Sequence, residues 1–124
     1  MRYVIDTCGW IEWLTEGVLC GAYEPYLEKP ENVIVPSVVQ YELYKWICRS
    51  IDETRANEVI AVTQQGIIDV LDTSLALMAA DASLQYKLAM ADALVYASAL
   101  KHRVPLVTSD KHFKDLPEVK YIQK

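Results

Sequence analysis

The chain has only three cysteines, Cys8, Cys20 and Cys48, and no Cys-x-x-Cys pair. An odd, scattered set supports neither a disulfide framework nor a zinc site, so reduced, buried thiols are expected. Long apolar runs are missing too. The longest stretches without a charged residue, Asn32 to Tyr41 and Val59 to Ile68, are ten residues, about half of the ~20 that a membrane span needs. No transmembrane segment is therefore expected. The opening Met-Arg-Tyr-Val-Ile-Asp meets an acid at the sixth residue, where a secretory signal would continue its apolar run, so a cytoplasmic location is expected. The absence of a Gly-x-x-x-x-Gly-Lys-Ser/Thr segment excludes phosphate binding through a P-loop. There is no internal repeat, low-complexity tract or Gly/Ser-rich linker, and glycines and prolines fall singly at turn positions. Basic charge is scarce: twelve Lys and Arg stand against seventeen acids, a net charge of −5, which argues against binding nucleic acid by bulk attraction.

What is present is a hydrophobic content of 52% in 124 residues, enough to bury one core, so a single domain over residues 1–124 is expected. Arg2 to Ile5, Val33 to Val35, Ile67 to Leu71 and Pro105 to Thr108 read as short buried strands, and Tyr121-Ile122 as an added edge strand. Between them, periodicity predicts helices over Cys8 to Thr15, Tyr23 to Glu28 with Pro25 in its first turn, Ser74 to Lys87, and Ala91 to His102. Ser37-Val-Val-Gln40 has capping-box spacing for a helix to about Arg49, and Ser50-Ile-Asp-Glu53 has it for one reaching Gln65, stopped by Gly66. Short strands alternating with helices predict an α/β fold: a three-layer sandwich with a short, mostly parallel four- or five-stranded sheet and helices on both faces.

Four acids do not fit a solvated surface. Asp6 closes the apolar run Tyr3-Val-Ile5, and Asp110 follows Leu106-Val-Thr108, so both emerge at the carboxyl ends of strands, where ligands bind in open α/β sheets. Asp92 is the sole charge between Leu88 and Leu100, in a setting where an unpaired carboxylate costs on the order of several kcal/mol. Glu42 lies in a helix with apolar residues on more than one face, with an intrahelical pairing to Lys45 as the plain alternative. Gathered on one rim, the four would repel one another unless a hard cation joined them. Oxygen-only ligands favour Mg²⁺ or Mn²⁺ over zinc, and Thr7, Thr108 or Ser109 supplies hydroxyls. His102 and His112 read as surface or supporting residues. From Lys101 onward six basic residues stand against three acids, a local +3, whereas the first hundred residues carry −8. Lys101, Arg103, Lys111 and Lys114 are thus candidates for a phosphate-facing strip.

In this arrangement the sequence resembles the PIN-domain family, and in particular the VapC-type toxins of toxin-antitoxin pairs. The resemblance rests on Asp6-Thr7 at the end of the first strand, Pro36 followed by Glu42, Asp92-Ala93 opening an Ala-rich helix, and the closing Leu106-Val-Thr-x-Asp110-x-x-Phe113. Cys8 departs from the Ser or Asn common after Asp-Thr, and His102-Arg103 stands where a Gly is usual. The resemblance implies a metal-dependent endoribonuclease with Asp6, Glu42, Asp92 and Asp110 as catalytic metal-binding acids and Thr7 and Thr108 as supporting hydroxyls. It also implies RNA as substrate, a small antitoxin as partner, and a homodimer. Trp10, Trp13 and Trp46 with the eight tyrosines would line a groove for the antitoxin where they are not used in the core. The rival reading is a catalytically silent PIN-like module that acts through a partner or dimer interface. A haloacid-dehalogenase-type phosphatase would need an Asp where Cys8 stands, and a response-regulator receiver would need paired acids near the first strand.

Overall fold

The structure, a computed structural model, describes residues Met1–Lys124. Five strands, β1 (Tyr3–Ile5), β2 (Val33–Pro36), β3 (Ile67–Asp69), β4 (Leu106–Thr108) and β5 (Val119–Tyr121), form one parallel sheet in the order β3-β2-β1-β4-β5. Six helices connect them: α1 (Thr7–Leu14), α2 (Cys20–Leu27), α3 (Ser37–Ser50), α4 (Glu53–Thr63), α5 (Thr73–Tyr86) and α6 (Met90–His102). Every residue of β2 and β4 is buried, as expected of strands covered on both faces. Right-handed crossovers put α1 to α4 on one face, as the chain steps from β1 to β2 to β3, and α5 and α6 on the other, as it returns to β4. The expected three-layer α/β sandwich is thus formed, with five strands. Trp10, Tyr23, Tyr96 and Phe113 are the largest side chains of its continuous core.

The order of the strands decides where a site can lie. From β1 the chain first travels outward through β2 and β3, then crosses back to β4 and β5. The direction therefore reverses between β1 and β4, which opens a crevice beyond their carboxyl ends.

Several helix starts differ from the sequence-based expectation. Ser37 does not cap α3: Pro36 occupies the N-cap, and Gln40 Nε2 instead donates to Thr63 Oγ1 at 3.1 Å, tying α3 to α4. Asp52, not Ser50, caps α4 by accepting from Arg55 N at 2.7 Å. Asp72 caps α5, accepting from Leu75 N at 2.9 Å. A carboxylate at the N-cap outcompetes a nearby serine because it brings negative charge to the positive end of the helix as well as an acceptor. Pro25 lies beyond the first turn of α2, since buried Tyr23 and Leu27 anchor this two-turn helix. The carbonyl of Gly21 that loses a partner belongs to an exposed residue and can be hydrated. Gly9 is demanded by close packing, as a Cβ there would collide with the Tyr23 ring and come within 2.8 Å of Ile5 Cγ2.

Arg103 ends α6 in the left-handed conformation, φ 55° and ψ 46°. Glycine adopts this conformation freely, whereas a side chain there costs about 1–2 kcal/mol. Part of that cost is offset because glycine gains more freedom on unfolding. Arg103→Gly should therefore stabilise the fold by roughly 0.5–1 kcal/mol, read as a higher urea midpoint with an unchanged slope.

Candidate active site

The site begins with the pairing of β1 and β4. Ile5 is in register with Val107, so the next residues, Asp6 and Thr108, lie side by side. Thr108 Oγ1 donates to Asp6 Oδ2 at 2.8 Å, and Thr7 N donates to Asp6 Oδ1 at 2.8 Å, so both carboxylate oxygens are fixed. Only 5% of Asp6 is exposed. The Thr108 hydroxyl also accepts from Asp110 N at 3.0 Å, which shapes the backbone leaving β4. Asp110 then caps a 3₁₀ turn over Lys111–Phe113, accepting from His112 N at 2.9 Å, while Phe113 anchors the turn in the core.

Asp92 arrives from the other face, in the first turn of α6. His112 Nδ1 lies 3.2 Å from Asp92 Oδ2 and 3.3 Å from Asp110 Oδ1. Potential ligand atoms of Asp92, Asp110 and His112 all lie within 4.8 Å of one another. Glu42, in the second turn of α3, joins through Thr7, whose Oγ1 donates to Glu42 Oε1 at 2.7 Å. Behind Asp6, the Cys8 thiol lies 3.7 Å from Asp6 Oδ2 and 3.5 Å from Ser109 Oγ, and Tyr23 OH donates to Ser109 Oγ at 2.9 Å. A serine or asparagine in place of Cys8 would be a stronger hydrogen-bonding neighbour for that carboxylate.

These acids bear on one another. Burial pushes Asp6 up to about 6; hydrogen bonds from Thr108 and Thr7 oppose the rise, and the charges of Asp92 and Asp110 add to it. Asp92 is likewise raised, first by burial and then by the Asp110 charge, with His112 opposing. Burial, followed by the Asp6 charge, pushes the Cys8 thiol up. Carboxylates such as Asp6 and Asp92 that resist ionisation beside other acids are unfavourable as bare anions and favourable around a divalent ion. The donors are carboxylate oxygens with one imidazole nitrogen, a set that fits a hard cation.

Lys101 requires a correction. It does not face the site: its Nζ donates to Asp69 Oδ1 at 2.9 Å. Lys101 and Arg103 also lie at the far end of α6, roughly 14 and 16 Å along the helix from Asp92 at about 1.5 Å per residue. They therefore form no continuous strip with Lys111 and Lys114, which are exposed on and just after the turn following Asp110. Lys114 Nζ sits 5.7 Å from the Tyr121 ring centroid.

His112, expected at the surface or in a supporting role, is exposed, and the Asx turn made by Asp110 brings its ring against two acids. One residue was missed by sequence reasoning. Asp69 also closes an apolar strand, the signal used for Asp6 and Asp110, and could have been found by it. Its carboxylate is buried among Ser98 Oγ at 2.6 Å, Lys101 Nζ at 2.9 Å and His102 Nε2 at 3.3 Å, the last without hydrogen-bond geometry. Although burial pushes this group up, the Ser98 and Lys101 bonds and the nearby positive charge hold it below its ordinary value. Asp69 thus fastens β3 to α6 and needs no cation.

The PIN domain family model matches residues 3–119. The chain belongs to the PIN-domain family. Among solved structures, this PIN domain is similar to a toxin-antitoxin complex from Klebsiella pneumoniae, at 23% identity and a TM-score of 0.79, covering 98% of this chain and 100% of that one. It is also similar to VapBC2 from Rickettsia felis bound to a DNA fragment from its promoter, at 18% identity and a TM-score of 0.74, covering 98% of each chain. A third similar structure is a VapC toxin from Mycobacterium tuberculosis described as cleaving the sarcin-ricin loop, at 16% identity and a TM-score of 0.69, covering 82% of this chain and 84% of that one. At these identities the likeness establishes the fold. A search of curated proteins finds no match.

Asp6 yields a pH prediction. The folded, metal-free chain binds its proton more tightly than the unfolded chain does, so the stability this group contributes is fully present below pH 3.8 and is lost as pH rises through about 6. Removing the charge should restore it. In EDTA, Asp6→Asn should exceed the parent in stability by on the order of 2–3 kcal/mol at pH 7.5. Urea unfolding at pH 7.5 and pH 4 measures this, and the gap should close at the lower pH.

Proposed function

We propose that this chain is a metal-dependent endoribonuclease and the toxin of a toxin-antitoxin pair, acting as a single PIN domain in the cytoplasm. The observation that carries the reading is the convergence of Asp6, Asp92 and Asp110 at the point where the strand direction reverses. It is supported by membership of the PIN-domain family and by similarity to toxin-antitoxin structures and to a toxin described as cleaving the sarcin-ricin loop. A small antitoxin and a second copy of the chain are the partners this reading implies. No helix is long and apolar enough to cross a membrane.

In this reading Asp92 and Asp110 hold Mg²⁺ or Mn²⁺, with Asp6 completing the negative pocket and His112 adjoining it. Bound there, the cation would offset charge on the scissile phosphate and acidify a water. Thr108 and Thr7 N keep the Asp6 oxygens in place, which maintains the pocket's shape. Glu42, whose Oε1 accepts from Thr7 Oγ1, is the carboxylate to which this reading gives the proton of the attacking water. No covalent intermediate is required, and the products would carry 5′-phosphates. Lys111 and Lys114 remain candidates for contact with RNA phosphates beside the site; Arg103 stands apart at the end of α6, and Lys101 is committed to Asp69.

Purified protein should cleave RNA in Mg²⁺ or Mn²⁺ and not in EDTA, and Asp92→Asn should lower the rate by about 10²–10³-fold, the cost typical of losing one transition-state charge stabiliser. Gel analysis of a defined RNA, with mapped ends and circular dichroism of both proteins, makes the measurement. A folded Asp92→Asn that cuts as fast as the parent removes this assignment, and failure of the parent with every metal favours the silent binding module.

A further inference from the structure

A groove of about 250 Å³ runs between α1 and α3, lined by Thr7, Ile11, Tyr41, Glu42, Lys45, Trp46 and Arg49. One end shares Thr7 and Glu42 with the acidic site, where they are joined by a 2.7 Å hydrogen bond. From there Tyr41, Lys45 and Arg49 follow one another along α3 at intervals of four residues. That spacing puts them on one stripe, about 6 Å apart along the helix axis.

Lys45 and Arg49 are two of only six basic residues in the first hundred, and both are exposed. Neither takes part in an ion pair, although the rest of that segment is strongly acidic. The intrahelical pairing of Lys45 with Glu42 is not made; Lys45 Nζ lies 5.7 Å from the centroid of the Tyr41 ring, and Glu42 is engaged by Thr7. Tyr41 is 62% exposed, so its ring is reachable from solvent beside the Lys45 ammonium. Ile11 and Trp46, both half-buried, form the apolar floor.

We infer that this α3 stripe is the track for single-stranded RNA flanking the cleaved bond, with Lys45 and Arg49 on successive phosphates and Tyr41 as a platform for a base. The inference rests on the nuclease reading and adds to it the path of the substrate. An exposed aromatic followed by two cations beside a phosphate-cutting site fits a single-strand binding surface, where charge follows the backbone and rings stack on bases of any sequence. The resulting binding tolerates sequence variation, so selectivity for a particular RNA must arise elsewhere. Lys45 and Arg49 touch phosphates away from the reacting bond, so their loss weakens binding without slowing the chemical step.

The test uses a fluorescein-labelled oligoribonucleotide, with anisotropy in EDTA for binding and cleavage in Mn²⁺ for kinetics. For Lys45→Ala/Arg49→Ala, Kd and KM should rise at least tenfold while kcat stays within about twofold. The slope of log affinity against log salt should become shallower by about 1.4, two contacts at roughly 0.7 each. Tyr41→Ala should weaken binding roughly tenfold and Tyr41→Phe should retain it. A parent that cuts no RNA in any metal defeats the nuclease reading. A parent that cuts, with Kd, KM and salt slope unchanged in the double variant, defeats the track alone and leaves the groove to a protein partner.

Discussion

Asp6 is a carboxylate that the sheet gives no freedom to leave. Its backbone is paired across to β4, its oxygens are held by Thr108 and Thr7, and it is almost wholly shielded from water. Two more carboxylates come close enough for their charges to reach it. Hydrogen bonds alone do not restore its ordinary acidity, because each accepted bond stabilises the ion by less than burial and repulsion destabilise it here. The fold therefore carries an unfavourable concentration of negative charge that a small divalent ion would relieve.

Asp69 shows that burial by itself does not create such a site. It too ends a strand and is 5% exposed, but Lys101 and Ser98 supply a positive charge and two close hydrogen bonds, and its acidity is enhanced. The two acids are one strand-end signal with opposite outcomes. The difference lies in what faces each carboxylate: a lysine from the last turn of α6 in one case, other acids in the second. A structural ion pair is complete in itself, whereas a pocket of like charges is complete only with a ligand.

The layering and strand positions were legible because short Val/Ile-rich runs alternate with helical periodicity, a pattern that only buried parallel strands and their crossovers satisfy. Asp6, Asp92 and Asp110 stood out for a related reason: each interrupts apolar sequence near an element end, and the switch in strand direction makes those ends neighbours. What was not legible depends on pairings across distance. Lys101 could not be matched to Asp69, 32 residues earlier, by counting charges. His112 gained its place only through the turn that Asp110 caps, and Gln40 left its local capping role for Thr63 on the next helix. The Lys45 and Arg49 stripe was hidden by an average charge that treats every cation as equivalent.

Calorimetric titration of Mn²⁺ into the EDTA-stripped protein at pH 7.5, parent beside Asp92→Asn, reads the tolerance of this charge cluster directly. Saturable binding by the parent, accompanied by a rise in its melting temperature and weakened at least tenfold by the substitution, is the expected result. Equal binding by the two folded proteins, or none by the parent, would mean that the carboxylates around Asp6 do not constitute a cation site.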